Sequence, residues 1–141
     1  MNEIAVPVTN ERIFAYQREL ANLPPAHAAM RHIFMPGIYI REAVLPAGTT
    51  FVGSVHLHDH ASFVDGDITV VSNEGERRIQ GAAMVLAKAG TKRAVVVHAE
   101  TVWRTVHPNP TDERDIAKLE AALVEPDITP ESIAYHTARI Q

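Results

Sequence analysis

The chain has 141 residues, of which 46% are hydrophobic and 21% are charged, and its net charge at pH 7 is −4. These values are typical of one globular domain and exclude extensive disorder. The acidic balance, without clustered Lys or Arg, argues against a nucleic-acid partner. Because the chain has no cysteine, disulfides, thiolate metal ligands and a cysteine nucleophile are excluded as well.

Residues 1–35 are predicted to form an N-terminal arm with a short helix. Asn10 is a suitable N-cap residue, and Pro24 and Pro25 end the helical pattern. Apolar residues recur between them at helical spacing, namely Ile13, Tyr16, Leu20 and Leu23. The sequence shows neither a signal peptide nor an apolar stretch near the ~20 residues of a membrane span. We therefore expect no membrane partner.

Residues 36–108 are predicted to consist of strands. The predicted strands are 37–45, 50–60, 63–64, 68–71, 77–80, 83–87, 94–98 and 102–107. Turn signals rich in Gly, Pro, Asn and Asp separate them at 46–48, 65–67, 73–75 and 88–90. Many short strands with regular turns predict a β-sandwich or β-barrel, and the absence of helices between them argues against a parallel βαβ fold.

Residues 109–141 are predicted to form a C-terminal helical tail. Thr111 is a suitable N-cap, and a further helix is predicted from residue 129 onward. Ile116, Leu119 and Leu123 form one apolar stripe. Because amphipathic helices outside a barrel need an apolar surface to cover, we expect a homo-oligomer.

A histidine-rich stretch carries the strongest chemical signal. Side chains alternate along a strand, so His56, His58 and His60 are predicted to share one face. Imidazoles gathered in this way could bind one divalent metal, namely Fe, Mn, Ni or Zn. The alternative is that they form a polar, hydrogen-bonded lining of the barrel.

Two later histidines could complete such a set. His107 shares a predicted strand face with Trp103 and is the predicted fourth ligand, while His98 is the alternative. Tyr39 and Trp103 are predicted to line the same pocket. No catalytic residue is assigned.

The motif around these histidines resembles the first motif of the cupin superfamily. The resemblance rests on the turn at 46–48, the His-x-His pair His56 and His58, and Gly66. It implies a mainly β chain with a single cupin-like jelly-roll β-barrel and a metal site. Asp59 stands at the spacing where the family has Glu, but it lies between the histidines.

The second cupin motif is less complete. Gly81 and the turn at 88–90 resemble its frame, but Arg93 stands where the family has its fourth ligand. A guanidinium carries no acceptor for a metal ion. The ligand set that the resemblance implies is therefore incomplete.

A second resemblance, to small cupin-like proteins of tailed bacteriophages, covers about residues 45–125. It rests on segments 66–71, 90–93, 100–108 and 115–120. It implies a non-catalytic structural or accessory protein of a phage particle. Its partners would be other phage structural proteins, and its location the virion or the host cytoplasm.

Three functions remain open. The sequence favours the particle protein without settling whether the chain is an enzyme. The second is a metal-dependent cupin enzyme, a dioxygenase, isomerase or lyase acting on a small polar molecule. The third is a barrel that binds a sugar or another ligand without chemistry.

Overall fold

The computed structural model describes residues 8–23 and 28–125. In chain order the elements are α1 (Asn10–Leu20), β1 (Ala29–Met35), β2 (Gly37–Leu45), β3 (Thr50–Val52), β4 (His60–Ser72), β5 (Gly75–Ala87), β6 (Ala94–Asn109) and α2 (Ile116–Leu123). Strands dominate, and the prediction of a mainly β fold is confirmed.

All strand pairings are antiparallel, and β6 is the strand that joins the sheet together. The order is β1-β2-β6-β4-β5, and β3 also pairs with β6. The first part of β6 lies between β3 and β4, and its later part lies between β2 and β4. The 16 residues of β6 therefore join β2, β3 and β4 in one sheet.

The prediction of a hairpin turn at 65–67 is wrong. These residues lie inside β4, where the pairing with β6 shifts register. A Cβ atom on Gly66 would lie 2.7 Å from the backbone Cα of Thr101, so glycine is required here by close approach of two strands. The predicted breaks between residues 80 and 83 and between residues 98 and 102 are also absent. β5 and β6 are each one continuous strand.

The strand predicted over 50–60 is wrong beyond Val52. Hydrogen bonds outside the sheet ladder hold residues 53–59 instead. The Leu57 N–H donates to the Leu123 carbonyl at 2.9 Å, and the Glu125 N–H donates to the Val55 carbonyl at 2.8 Å. The Asp59 carboxylate accepts from the Ala89 N–H at 2.8 Å. Residues 53–59 are thus hydrogen-bonded to the end of α2 and to the 88–90 turn.

The main core lies between β2, β4, β5 and β6. Its buried residues are Leu45, Val64, Ile68, Ile79, Val95 and Val97. Close packing of these branched side chains fixes the middle of the sheet. Polar side chains lie at the end of the sheet where β4 begins and β6 ends.

Both described helices pack on the sheet of their own chain. Ile13 of α1 is buried with Val52 and Ala94, while Leu119 and Leu123 of α2 are buried with Tyr39. Ile13, Leu119 and Leu123 are therefore buried within the chain, whereas Tyr16 and Leu23 of the first predicted stripe are exposed. Homo-oligomerisation remains a prediction.

The helix caps and the arm differ from prediction in detail. The N-caps are Thr9 and Asp115, whose side chains accept backbone N–H groups of the first turn. The end of the predicted arm forms β1, which pairs along its length with β2. The helix predicted after residue 129 lies outside the described residues. In those residues, no helix has the length and apolar character required to cross a membrane.

Candidate functional site

A cavity of about 900 Å³ lies beside the polar end of the sheet. Strands, both helices and the 53–59 segment all contribute to its lining. The polar lining includes His32, Tyr39, Arg41, His56, His60, Arg93, His107 and Glu120. The apolar lining includes Leu20, Met30, Phe51, Val85, Trp103 and Leu123. A large cavity that combines apolar side chains with convergent polar groups is typical of a small-molecule site.

Three imidazoles come together in this cavity. The ring centroids are 3.9 Å apart for His56 and His60, 5.5 Å for His56 and His107, and 5.7 Å for His60 and His107. His60 is the first residue of β4, and His107 lies near the end of β6. His56 lies in the 53–59 segment and forms an isolated bridge with Val124. We call these three residues the histidine cluster.

The histidine cluster contains imidazoles that favour the neutral form. Burial, then the neighbouring His60 and Arg41, lowers the pKa of His107 to about 4. Burial is also the main cause that lowers the pKa of His60, and the positive charge of Arg93 acts in the same direction. Both rings are therefore uncharged at neutral pH, the form in which histidine binds metals.

The fit of the cluster to a metal ion is partial. Neutral imidazoles suit Zn, Fe or Ni, so the donor chemistry fits. However, no set of three or more His, Asp or Glu side chains in the described ranges is arranged to hold an ion. The imidazole nitrogens are therefore suitable metal ligands, but they are not arranged in advance around one ion.

Tyr39 connects the cluster to a second polar group. It lies opposite His107 across the β2–β6 pair, and the two rings stack with centroids 5.7 Å apart. Its hydroxyl lies 3.1 Å from Nε of Arg41, which donates to it, and 2.7 Å from Nδ1 of His32. The arginine donates to the hydroxyl oxygen, and the hydroxyl shares a second hydrogen bond with the His32 ring.

Two arginines line the cavity: the charge of Arg41 acts on His107, and the charge of Arg93 acts on His60. Nη2 of Arg41 donates to Oε1 of Glu120 at 2.8 Å, and the positive charge of Arg41 contributes to the low pKa of His107. Nη2 of Arg93 donates to Oε1 of Glu74 at 3.3 Å. Arg93, at the position where the cupin motif has a ligand, thus brings a positive charge into the lining.

The structure does not place all the predicted ligands together. His56, His60 and His107 line the cavity, whereas His58 is exposed and is not part of the lining. The prediction that His58 shares a face with its neighbours is wrong, because strand alternation does not apply to the 53–59 segment. His98 also lies outside the lining, with its Nε2 2.7 Å from Oγ1 of Thr69.

The two residues predicted to line a pocket, Tyr39 and Trp103, both line this cavity. Sequence reasoning missed Arg41 and Glu120. Arg41 follows Tyr39 by two residues in β2, so strand alternation alone could have placed both on one face. Glu120 gave no comparable signal, because the packing of α2 on β2 is a tertiary contact.

Comparison with known proteins supports the fold. No model of a protein family and no curated protein sequence matches the chain. Among solved structures, salicylate 1,2-dioxygenase from Pseudoaminobacter salicylatoxidans with gentisate is similar at a TM-score of 0.53 and 16% identity. That match covers 80% of this chain and 33% of the dioxygenase.

Two smaller proteins are also similar. KdgF from Halomonas sp. has a TM-score of 0.50 and 17% identity, covering 60% of this chain and 82% of KdgF. A cupin-2 domain protein from Shewanella frigidimarina has a TM-score of 0.49 and 12% identity, covering 67% of this chain and 92% of that protein. At 17% and 16% identity, the likeness to KdgF and to the dioxygenase shows fold alone, and the chain has the cupin-like jelly-roll fold that its sequence predicts.

Proposed function

We propose that the chain binds a small organic molecule in the cavity, beside one divalent metal ion held by the histidine cluster. The observation that carries the proposal is the gathering of His56, His60 and His107 from three separate segments within one cavity. The imidazole nitrogens of these three residues would hold such an ion. A bound divalent ion would supply Lewis acidity toward an oxygen of that molecule.

The chain's own residues would orient the ligand. The ring of Tyr39 stacks on His107, and its hydroxyl is held by Arg41. Trp103 and Phe51, whose rings meet edge to face at 6.1 Å, offer apolar area for an organic body. Enzymes and proteins without an assigned role share the fold of this chain, so catalysis is part of the proposal and does not follow from the fold.

Calorimetric titration of chelator-treated protein with Zn²⁺ or Ni²⁺ at pH 7 tests the metal site. We expect about one equivalent to bind, and we expect His56→Ala and His107→Ala each to weaken binding about tenfold or more. His58→Ala is the matched control, because His58 is exposed and outside the cavity lining. No binding by the unaltered protein, or an equal loss in His58→Ala, would contradict the proposal.

A second candidate is a ligand-binding barrel without metal. It is favoured by the absence of a preformed metal-binding group in residues 8–23 and 28–125. Ligand binding by metal-free protein that does not change on adding Zn²⁺ would support it over the first candidate.

The hypothesis of a phage-particle protein rests on the sequence resemblance alone, and none of the comparisons supports it. It remains a prediction, as does self-association. Light scattering of the purified chain would test self-association directly. A monomeric mass across the accessible concentration range would contradict it.

A further inference from the structure

The guanidinium of Arg41 is held in a fixed position in the cavity. Its Nε donates to the Tyr39 hydroxyl at 3.1 Å, and its Nη2 donates to Glu120 at 2.8 Å. Its side chain is 20% exposed. Two anchors from different elements restrict the rotamers of a long side chain, so little further entropy is lost when it binds a ligand.

One nitrogen of this guanidinium is used by neither anchor. Nη1 of Arg41 has no partner among the residues that the structure describes. The planar fork of arginine matches the two oxygens of a carboxylate better than a lysine ammonium does. We propose that Arg41 binds the carboxylate of a small organic acid in the cavity. This inference rests on the proposed role of the cavity as a ligand site, but not on bound metal.

The charges of the lining are compatible with an anion. Arg41 and Arg93 are the Lys or Arg side chains in the described lining, while Glu120 and Glu125 are the carboxylates. Arg41 is preferred because it has two anchors, whereas Arg93 has one bond of 3.3 Å to an exposed Glu74. Glu120 accepts from Arg41 and partly offsets its charge.

The apolar lining indicates that the acid has a hydrophobic body. Trp103, Phe51 and Val85 line the same cavity. An inorganic anion would leave this surface uncovered, whereas a ring or short aliphatic group would bury it. A small aromatic or aliphatic carboxylate therefore matches both the charged and the apolar lining.

Fluorescence titration of metal-free protein with benzoate tests the inference, because Trp103 is the chain's single tryptophan and lines the cavity. We expect benzoate to bind at least about tenfold more tightly than benzamide, the uncharged analogue, as loss of a charged hydrogen bond predicts. Arg41→Gln should remove this preference. Arg31→Gln, which alters an arginine that is 65% exposed and outside the lining, should keep it.

Two further variants test the role of Arg41 if Arg41→Gln does not fold. Arg41→Lys retains the charge and should bind benzoate with an intermediate affinity. Glu120→Gln can still accept from Arg41 but removes a competing negative charge, so benzoate should bind about threefold more tightly or better.

Equal binding of benzoate and benzamide would overturn the inference, as would an unchanged preference in Arg41→Gln. Failure of the unaltered protein to bind benzoate up to about 10 mM would overturn it as well. These outcomes are separate from the metal titration, because the anion is measured without metal. Failure of one proposal is therefore distinguishable from failure of the other.

Discussion

The imidazole rings of His56 and His60 lie with centroids 3.9 Å apart, although only His60 belongs to a strand of the sheet. The Leu57 N–H bonds to the last residue of α2, Leu123. Because α2 packs on Tyr39 of β2, the position of His56 depends on the helix as well as on the sheet. The histidine cluster is thus a product of tertiary packing.

Acidification should destabilise the fold through His107. Its pKa is about 4 in the folded chain, so between pH 6.5 and 4 the unfolded chain binds a proton that the folded chain does not. The free energy of unfolding should therefore decrease as pH falls from about 6.5 to about 4, by about 3 kcal/mol in total for this group. His60, whose pKa is also lowered, acts in the same direction.

Urea unfolding across this pH range measures the effect. His107→Gln should flatten the pH dependence, whereas His58→Gln, at an exposed position, should leave it unchanged. A slope that is the same in His107→Gln as in the unaltered chain would refute the assignment to His107.

Gly66→Ala should lower stability by about 2 kcal/mol or more, because overpacking forces the backbone to move. The new Cβ would lie 2.6 Å from Cβ and 2.7 Å from Cα of Thr101. Gly53→Ala is the matched control, since a Cβ there meets nothing within 4 Å, and its effect should be within about 0.5 kcal/mol. Chemical denaturation of both variants checks the difference, and equal stability would count against the close approach of β4 and β6.

Gln17→Met should stabilise the chain by about 1–2 kcal/mol. Gln17 is fully buried in α1, and within the described ranges neither its amide nitrogen nor its amide oxygen has a hydrogen-bond partner. A methionine fills similar space without a polar group to desolvate.

Thermal and urea unfolding would measure this gain. Glu19→Met, on the exposed face of the same helix, should change stability by no more than about 0.5 kcal/mol. If Gln17→Met proves less stable than the unaltered chain, the buried amide must have a partner after all.

Local sequence signals predicted the fold class, the limits of β2 and several turns. Alternation and turn residues act over a few positions, so they identified Gly37–Leu45 correctly. They failed at Gly66, because a glycine required by close approach to Thr101 resembles a turn glycine in the sequence. Only the register of β4 against β6 distinguishes the two cases.

The site was predictable where side chains follow strand alternation. His107 and Trp103 were found in this way, and Arg41 could have been found from its spacing to Tyr39. His58 was misplaced because residues 53–59 exchange ladder hydrogen bonds for contacts with α2 and Ala89. Such contacts join residues far apart in the chain, so no local pattern reports them.

The central claim is that His56, His60 and His107 act as one site within the cavity. Side-chain ¹H–¹⁵N NMR of the histidines during titration with Zn²⁺ at pH 7 tests it most directly. We predict that the imidazole signals of these three residues change together and reach saturation at about one equivalent, as expected for a single site with nitrogen ligands, while those of His58 and His98 remain in place. A response led by His58 or His98, or separate transitions for His56 and His107, would contradict the claim.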